Sequence, residues 1–265
     1  MPPADRELAG RPRRRRGVLI TILIVVLAVI VAGVVVLDGV ARSYAADQIE
    51  QKIRTEVGLG SETPLTVKVG GFSVLAQLAT GALDDVQVSA DGVALGEMTG
   101  SFRLRARGLP IDTTKAVQRL TVDVRLDAED VKKVIGTFGT VPLDSLTIGD
   151  GALHLKSELR VFASLRIPVG LDLTPGASNG EIALTPTGVD LAGKSVSAAD
   201  VKQQFPTIGD ALFQKRTFCI ADKLPSQLVL DDARVSGSDL VLSFAATGLR
   251  LDAASLAAKG TCPSR

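Results

Sequence analysis

The 265-residue chain reads as an α+β protein: one transmembrane helix, then a long curved antiparallel sheet with a few helices packed on it. Three observations predict this. Val18 to Leu37 holds 18 apolar residues, broken only by Thr21 and Gly33, directly after an arginine cluster. Beyond it, apolar and polar residues alternate with period two in segment after segment. Gly-containing turn pairs separate those segments.

The apolar run comes first. Twenty residues at helical rise span about 30 Å, the hydrocarbon thickness of a bilayer. Arg6, Arg11 and Arg13 to Arg16 stand against Asp5 and Glu7, giving the first sixteen residues a net charge of +4. Such a cluster stays in the cytoplasm and puts the body outside. The organisation expected is therefore a cytoplasmic basic head at 1–17, a transmembrane helix at 18–37 and an extracytoplasmic domain at 38–265. The alternative is a signal peptide cleaved near Ala41-Arg42-Ser43, which yields a secreted protein, although signal cores are shorter than this run.

Residues 44 to 57 form the next helix, with Ala45, Ile49, Ile53 and Val57 on one stripe and Gly58 and Gly60 as its stop. Strands follow. Val67 and Val69 alternate with Thr66 and Lys68. Phe102, Leu104 and Ala106 alternate with Arg103, Arg105 and Arg107. Leu120, Val122, Val124 and Leu126 alternate with Thr121, Asp123 and Arg125. Leu153, Leu155, Leu159 and Val161 alternate with His154, Lys156, Glu158 and Arg160. Leu240, Leu242 and Phe244 alternate with Val241 and Ser243. One apolar and one polar face per strand means antiparallel pairing. Turns are expected at Asp91-Gly92, Asp150-Gly151, Pro175-Gly176, Asn179-Gly180 and Ser236-Gly237. Three short helices interrupt the strands. Val74 to Thr80 stops at Gly81, Asp127 caps a helix carrying Val131, Val134, Ile135 and Phe138, and Ser197 with Asp200 opens a third. The stretches 143–153 and 224–235 echo each other as two Leu-rich hairpins with a turn-like lead.

Composition narrows function. The chain is 46% hydrophobic but 3% aromatic, with one Tyr and no Trp, and its net charge is +1. With +4 in the head and none over residues 17–43, residues 44–265 carry −3, which disfavours nucleic acid as a partner. A single histidine, His154, excludes multi-imidazole metal sites; on a polar strand face with no Gly-x-Ser-x-Gly nearby it reads as an exposed sheet residue. Gly188 to Ser195 matches the phosphate-loop spacing, but Val189 and Leu191 continue a strand, so it reads as a strand with a Gly turn. Asp84-Asp85, Glu129-Asp130 and Asp231-Asp232 read as turn and cap residues, because strand neighbours point to opposite faces. No catalytic set, cofactor site or metal site is expected, and the chain is not expected to be an enzyme.

What remains is the sheet. Leu104, Val122, Val124, Leu155, Leu242 and Phe244 are the candidate lining of an apolar site. Arg103, Arg105 and Arg107 share the other face, as a candidate row for phosphate headgroups or as a solvated face with partners such as Asp123. Cys219 and Cys262 are expected to pair outside the cytoplasm, two unrelated buried thiols being the alternative.

Phe72-Ser73-Val74-Leu75-Ala76-Gln77-Leu78-Ala79-Thr80-Gly81, followed by Ala82-Leu83-Asp84-Asp85-Val86, resembles the signature region of the LmeA-like family of actinobacterial cell-envelope proteins. The likeness extends over most of residues 44–265, including Leu-Pro leads such as Leu224-Pro225. The resemblance implies a tubular, elongated lipid-binding fold outside the cytoplasm, phospholipid as ligand, and a part in envelope lipid or lipoglycan assembly. It brings no catalytic motif. The rival expectation is an envelope structural protein with a solid core and no lipid cavity.

Overall fold

A computed structural model describes residues 14–57, 62–95, 98–138, 144–160, 166–191 and 193–262. Helix α1 (Arg14–Val57) runs through both the apolar run and the amphipathic stripe without a break. Among the described residues no helix is long and apolar enough to cross a membrane. Most of the run expected to do so, 18–31 and 34, lies outside the residues whose side chains are described, as do the basic head before Arg14 and the expected stop at Gly58 and Gly60.

The first sheet contains β1 (Leu65–Val69), β2 (Ala82–Leu95), β3 (Met98–Pro110), β4 (Arg119–Leu126), β12 (Asp239–Thr247) and β11 (Val229–Ser236), in that order and all antiparallel. Between β4 and β11 the chain builds a second antiparallel sheet. Its order is β5 (Ser145–Gly149), β6 (Ala152–Arg160), β7 (Arg166–Ser178), β8 (Glu181–Leu191) and β10 (Arg216–Phe218), with β9 (Lys194–Ser197) also on β8. The long sheet expected from alternation is therefore two sheets. Period two reports one buried face per strand and is silent on where pairing breaks.

Helices punctuate this frame. α2 (Val74–Thr80) is closed by Gly81 in the left-handed region, as its sequence predicts, and is capped at its start by the Ser73 hydroxyl. α3 (Ala128–Phe138) has Asp127 accepting from the Asp130 N–H at 2.9 Å. The side chains of Val134, Ile135 and Phe138 lie outside the described set. α4 (Ala198–Gln204) starts at Ser197, which accepts from the Asp200 N–H. Two helices were not foreseen, α5 (Pro206–Leu212) and α6 (Ala253–Ala257).

Several turns also differ. Asp150-Gly151 and Asn179-Gly180 make the expected two-residue hairpins, all four residues with positive φ. Asp91-Gly92 instead lies within β2 at a register shift, and Pro175-Gly176 lies within β7. Asp231-Asp232 is a bulge in β11, so the second half of the 224–235 echo is one bent strand and not a hairpin. Asp84-Asp85 belongs to β2. The phosphate-loop pattern forms the β8–β9 hairpin, with Leu191 paired to Lys194, as its strand reading predicts.

Two apolar cores result. One lies under α1 and α2: Ala45, Leu65, Val69, Val74, Val86 and Val88 are buried there. The other lies between the sheets, where Leu126, Leu240 and Phe244 of the first meet Leu146, Leu153 and Leu173 of the second, with Val131 of α3.

Candidate lipid-binding site

Strand register sets the apolar face of the first sheet. Val88, Leu104, Val122, Phe244 and Leu230 stand side by side across β2, β3, β4, β12 and β11. The adjoining row is Ala90, Phe102, Val124, Leu242 and Ala233. Each row starts in the first core and ends in the second. Val88 and Ala90 are buried beneath the helices, and Leu230 and Ala233 beneath the second sheet. Between them Phe102, Leu104, Val122 and Val124 are only half-buried. Val122 packs against both cores. This less buried middle of the face, between the two cores, is a seam.

The six apolar residues singled out from sequence therefore fall into two groups. Leu104, Val122 and Val124 line the seam. Leu242 and Phe244 are buried in the core between the sheets. Leu155 sits on β6, opposite Leu146 and Leu171, and is half-buried against that same core. Sequence reasoning missed Leu228, the other half-buried residue that packs on both cores. Its signal was the Leu-Pro-Ser-Gln-Leu lead at 224–228, which carries two leucines through an irregular connection.

Leu228 also lines a cleft of about 480 Å³ with Leu224, Val229, Glu181 and Lys259. One wall is the C-terminal segment. Cys219 and Cys262 are joined in a disulfide across 43 residues, as expected, and Pro225 bridges Lys259. The Gly260 N–H donates to the Leu224 carbonyl at 3.1 Å. The cleft is thus lined by apolar residues together with one cation and one carboxylate, and through Leu228 it adjoins both cores.

Arg103, Arg105 and Arg107 project from the opposite face of β3, all exposed. A lipid tail on the seam and a headgroup on this row would be separated by the sheet itself. Arg105 makes a two-pronged pair with Asp85, at 2.6 and 3.1 Å. The hydrogen bond from Arg105 holds the Asp85 carboxyl below the usual carboxylate range. Arg103 lies in register with Asp123, yet the Asp123 carboxylate accepts from the Ser243 hydroxyl at 2.6 Å. Arg107 lies in register with Arg119. Arg105, Arg107 and Arg119 surround a shallow cavity of about 260 Å³.

His154 is half-buried and partnered, not an open sheet residue. Its Nδ1 meets Asp172 Oδ1 at 2.7 Å and its Nε2 meets the Gly149 carbonyl at 3.2 Å. The Asp172 hydrogen bond raises its pKa above the ordinary histidine value. The His154–Asp172 contact joins β6 to β7.

No curated protein and no solved structure matches the chain. A family model, LmeA-like phospholipid-binding, matches residues 36–245, from the last two residues of the apolar run into β12. That span contains the seam and both sheets but for the last two residues of β12, and the chain belongs to the LmeA-like phospholipid-binding family.

Proposed function

We propose that this protein is a binding module, not an enzyme, which holds one phospholipid with its acyl chains along the seam of the first sheet. The half-buried row Phe102, Leu104, Val122 and Val124 carries the reading, because it leaves apolar surface uncovered between two closed cores. The cleft bounded by Leu224, Leu228 and Lys259 is the entrance, with Lys259 at the level of the phosphate. Val18 to Leu37 anchors the chain in the cytoplasmic membrane with the basic head inside, and the body serves envelope lipid or lipoglycan assembly. Family membership supports phospholipid as the ligand class.

Native mass spectrometry of the full chain, released from mild detergent, tests the reading. A mass increment of one phospholipid, retained on purification or regained from added phosphatidylglycerol, is expected. A chain that stays empty in both conditions overturns it. The solid-core alternative has support in the tight burial of Leu242 and Phe244, and it predicts that empty outcome.

A further inference from the structure

The seam leaves one end of the first sheet unexplained. Asp38 of α1 is buried there although it stands one residue beyond the apolar run. Its carboxylate accepts from the Ser73 hydroxyl at 2.8 Å and the Leu75 N–H at 3.1 Å, and pairs with Arg42 at 3.2 Å. Arg42 in turn donates to the carbonyls of Val69 and Gly71. The point where the apolar run meets the body is thus pinned to α2 and to the end of β1.

Around that point the surface is apolar. Phe72 is 101% exposed, Leu75 and Leu78 are each 40% exposed, and Ile111 is 52% exposed. Leu75 and Leu78 share one face of α2 by their spacing, while Val74 and Gln77 are buried on the other. The Ile111 N–H donates to the Gly81 carbonyl at 3.0 Å, which brings this residue to the end of α2. On the outer face nearby, Arg107 and Arg119 stand directly across from one another, and like charges so placed are destabilising. Asp85, in register with Arg107, gives its short ion pair to Arg105, and neither Arg107 nor Arg119 has an ion pair within 4 Å among the described residues.

We propose that this end of the body is a bilayer-docking surface. Phe72, Leu75, Leu78 and Ile111 enter the interfacial layer, and Arg107 and Arg119 bind phosphates of anionic phospholipids. Arg107 lies three residues along β3 from Pro110, so its backbone stands about 10 Å from the apolar rim at strand rise. That is a few ångströms beyond the headgroup layer, roughly 5–8 Å deep on each side of a bilayer, a gap within the length of an arginine side chain. The occupant follows from position and charge: the apolar run leads into this rim, and Arg107 and Arg119 share only Asp85, already engaged by Arg105, so a phosphate layer supplies the missing negative charge. The proposal rests on the reading of Val18 to Leu37 as the membrane anchor. It gives the outer arginines a role separate from any lipid held in the seam.

The chain has no Trp, so Phe72→Trp introduces a single reporter. The full chain is reconstituted into phosphatidylcholine vesicles, with and without phosphatidylglycerol, containing lipids spin-labelled near the headgroup. Blue-shifted, lipid-quenched emission is expected, and Leu78→Trp should repeat it if the first variant folds poorly. Phe205→Trp, at an exposed site between α4 and α5, should show neither effect. Arg107→Gln with Arg119→Gln should lower the docked-to-undocked ratio roughly thirtyfold on phosphatidylglycerol vesicles and leave phosphatidylcholine vesicles unaffected. Unquenched emission from both reporters overturns the proposal. So does a blue shift without lipid quenching, which would mean cover by a second copy or another protein. Quenching indifferent to the two arginines overturns their role. Flotation separates the two readings: a floating chain with unquenched reporters sinks docking alone, whereas a chain that does not float sinks the anchor as well.

Discussion

His154 shows what a single residue reveals once the strands are paired. Its alternation with Leu153 and Leu155 places it on a polar face, and that much is legible in sequence. Its partner is not, because Asp172 lies 18 residues away and meets it only through the β6–β7 register. Both groups facing the ring, a carboxylate and a carbonyl oxygen, only accept hydrogen bonds, so the doubly protonated imidazolium satisfies both. The raised pKa fixes the sign of the pH dependence. The pair's contribution to stability is fully present below the unfolded histidine value, about 6.5, and is lost as pH rises through the higher folded value. Thermal unfolding of wild type and His154→Gln should therefore differ most near pH 5 and converge as pH rises through that folded value. A gap that widens with pH would mean the ring folds neutral. Asp130 is the acid counterpart. It is 2% exposed, accepts from the Thr99 N–H at 2.9 Å, and has its pKa lowered chiefly by that bond. Asp130→Ala should cost about 1–3 kcal/mol at neutral pH in urea unfolding. The ionic part of that deficit should vanish as pH falls through the folded value, where the wild-type carboxylate is itself protonated.

At the scale of elements, local chemistry was readable and pairing was not. The end of helix α2 could be placed because Gly81 is chemically suited to it. The bulges at Asp91-Gly92 and Asp231-Asp232 looked like turns because the same residue types serve both, and only the partner strand distinguishes them. The break between the sheets left no mark at all. Glycines at the ends of α2 give a graded test. Gly81 sits at φ 81°, and a Cβ there would meet nothing within 4 Å. Gly81→Ala should thus cost only the backbone term, about 1–2 kcal/mol. Gly71 also has positive φ, but a Cβ there would strike the Gln77 amide. That amide is buried and bonds to Gly70 and Asp84. Gly71→Ala should therefore be the more damaging of the two in urea midpoint. Equal midpoints would mean that the Gln77 link between α2 and the sheet is dispensable.

Over the whole molecule, the sequence made the apolar face visible and hid what covers it. Leu104 and Phe244 have the same pattern and stand on one face, yet one is half-buried at the seam and the other is closed under the second sheet. Cover comes from α1 and from strands as far along the chain as β7, so no local periodicity reports it. The disulfide holds the C-terminal wall of the cleft against this arrangement. In the chain-entropy model a 43-residue loop stabilises by about 4 kcal/mol. Cys219→Ser with Cys262→Ser should lose most of that, and should speed lipid exchange because the cleft wall is released. The seam itself is tested by filling it. Val122 touches both cores and is half-buried, so Val122→Phe places a ring where the proposed acyl chain runs. If the seam holds lipid, native mass spectrometry should show the bound fraction collapse while urea stability changes little, because the ring takes space that protein atoms do not fill. If the core is solid there, the same ring is overpacking and should cost about 1–3 kcal/mol. Stability and lipid occupancy measured on this one variant therefore move in opposite patterns under the two readings.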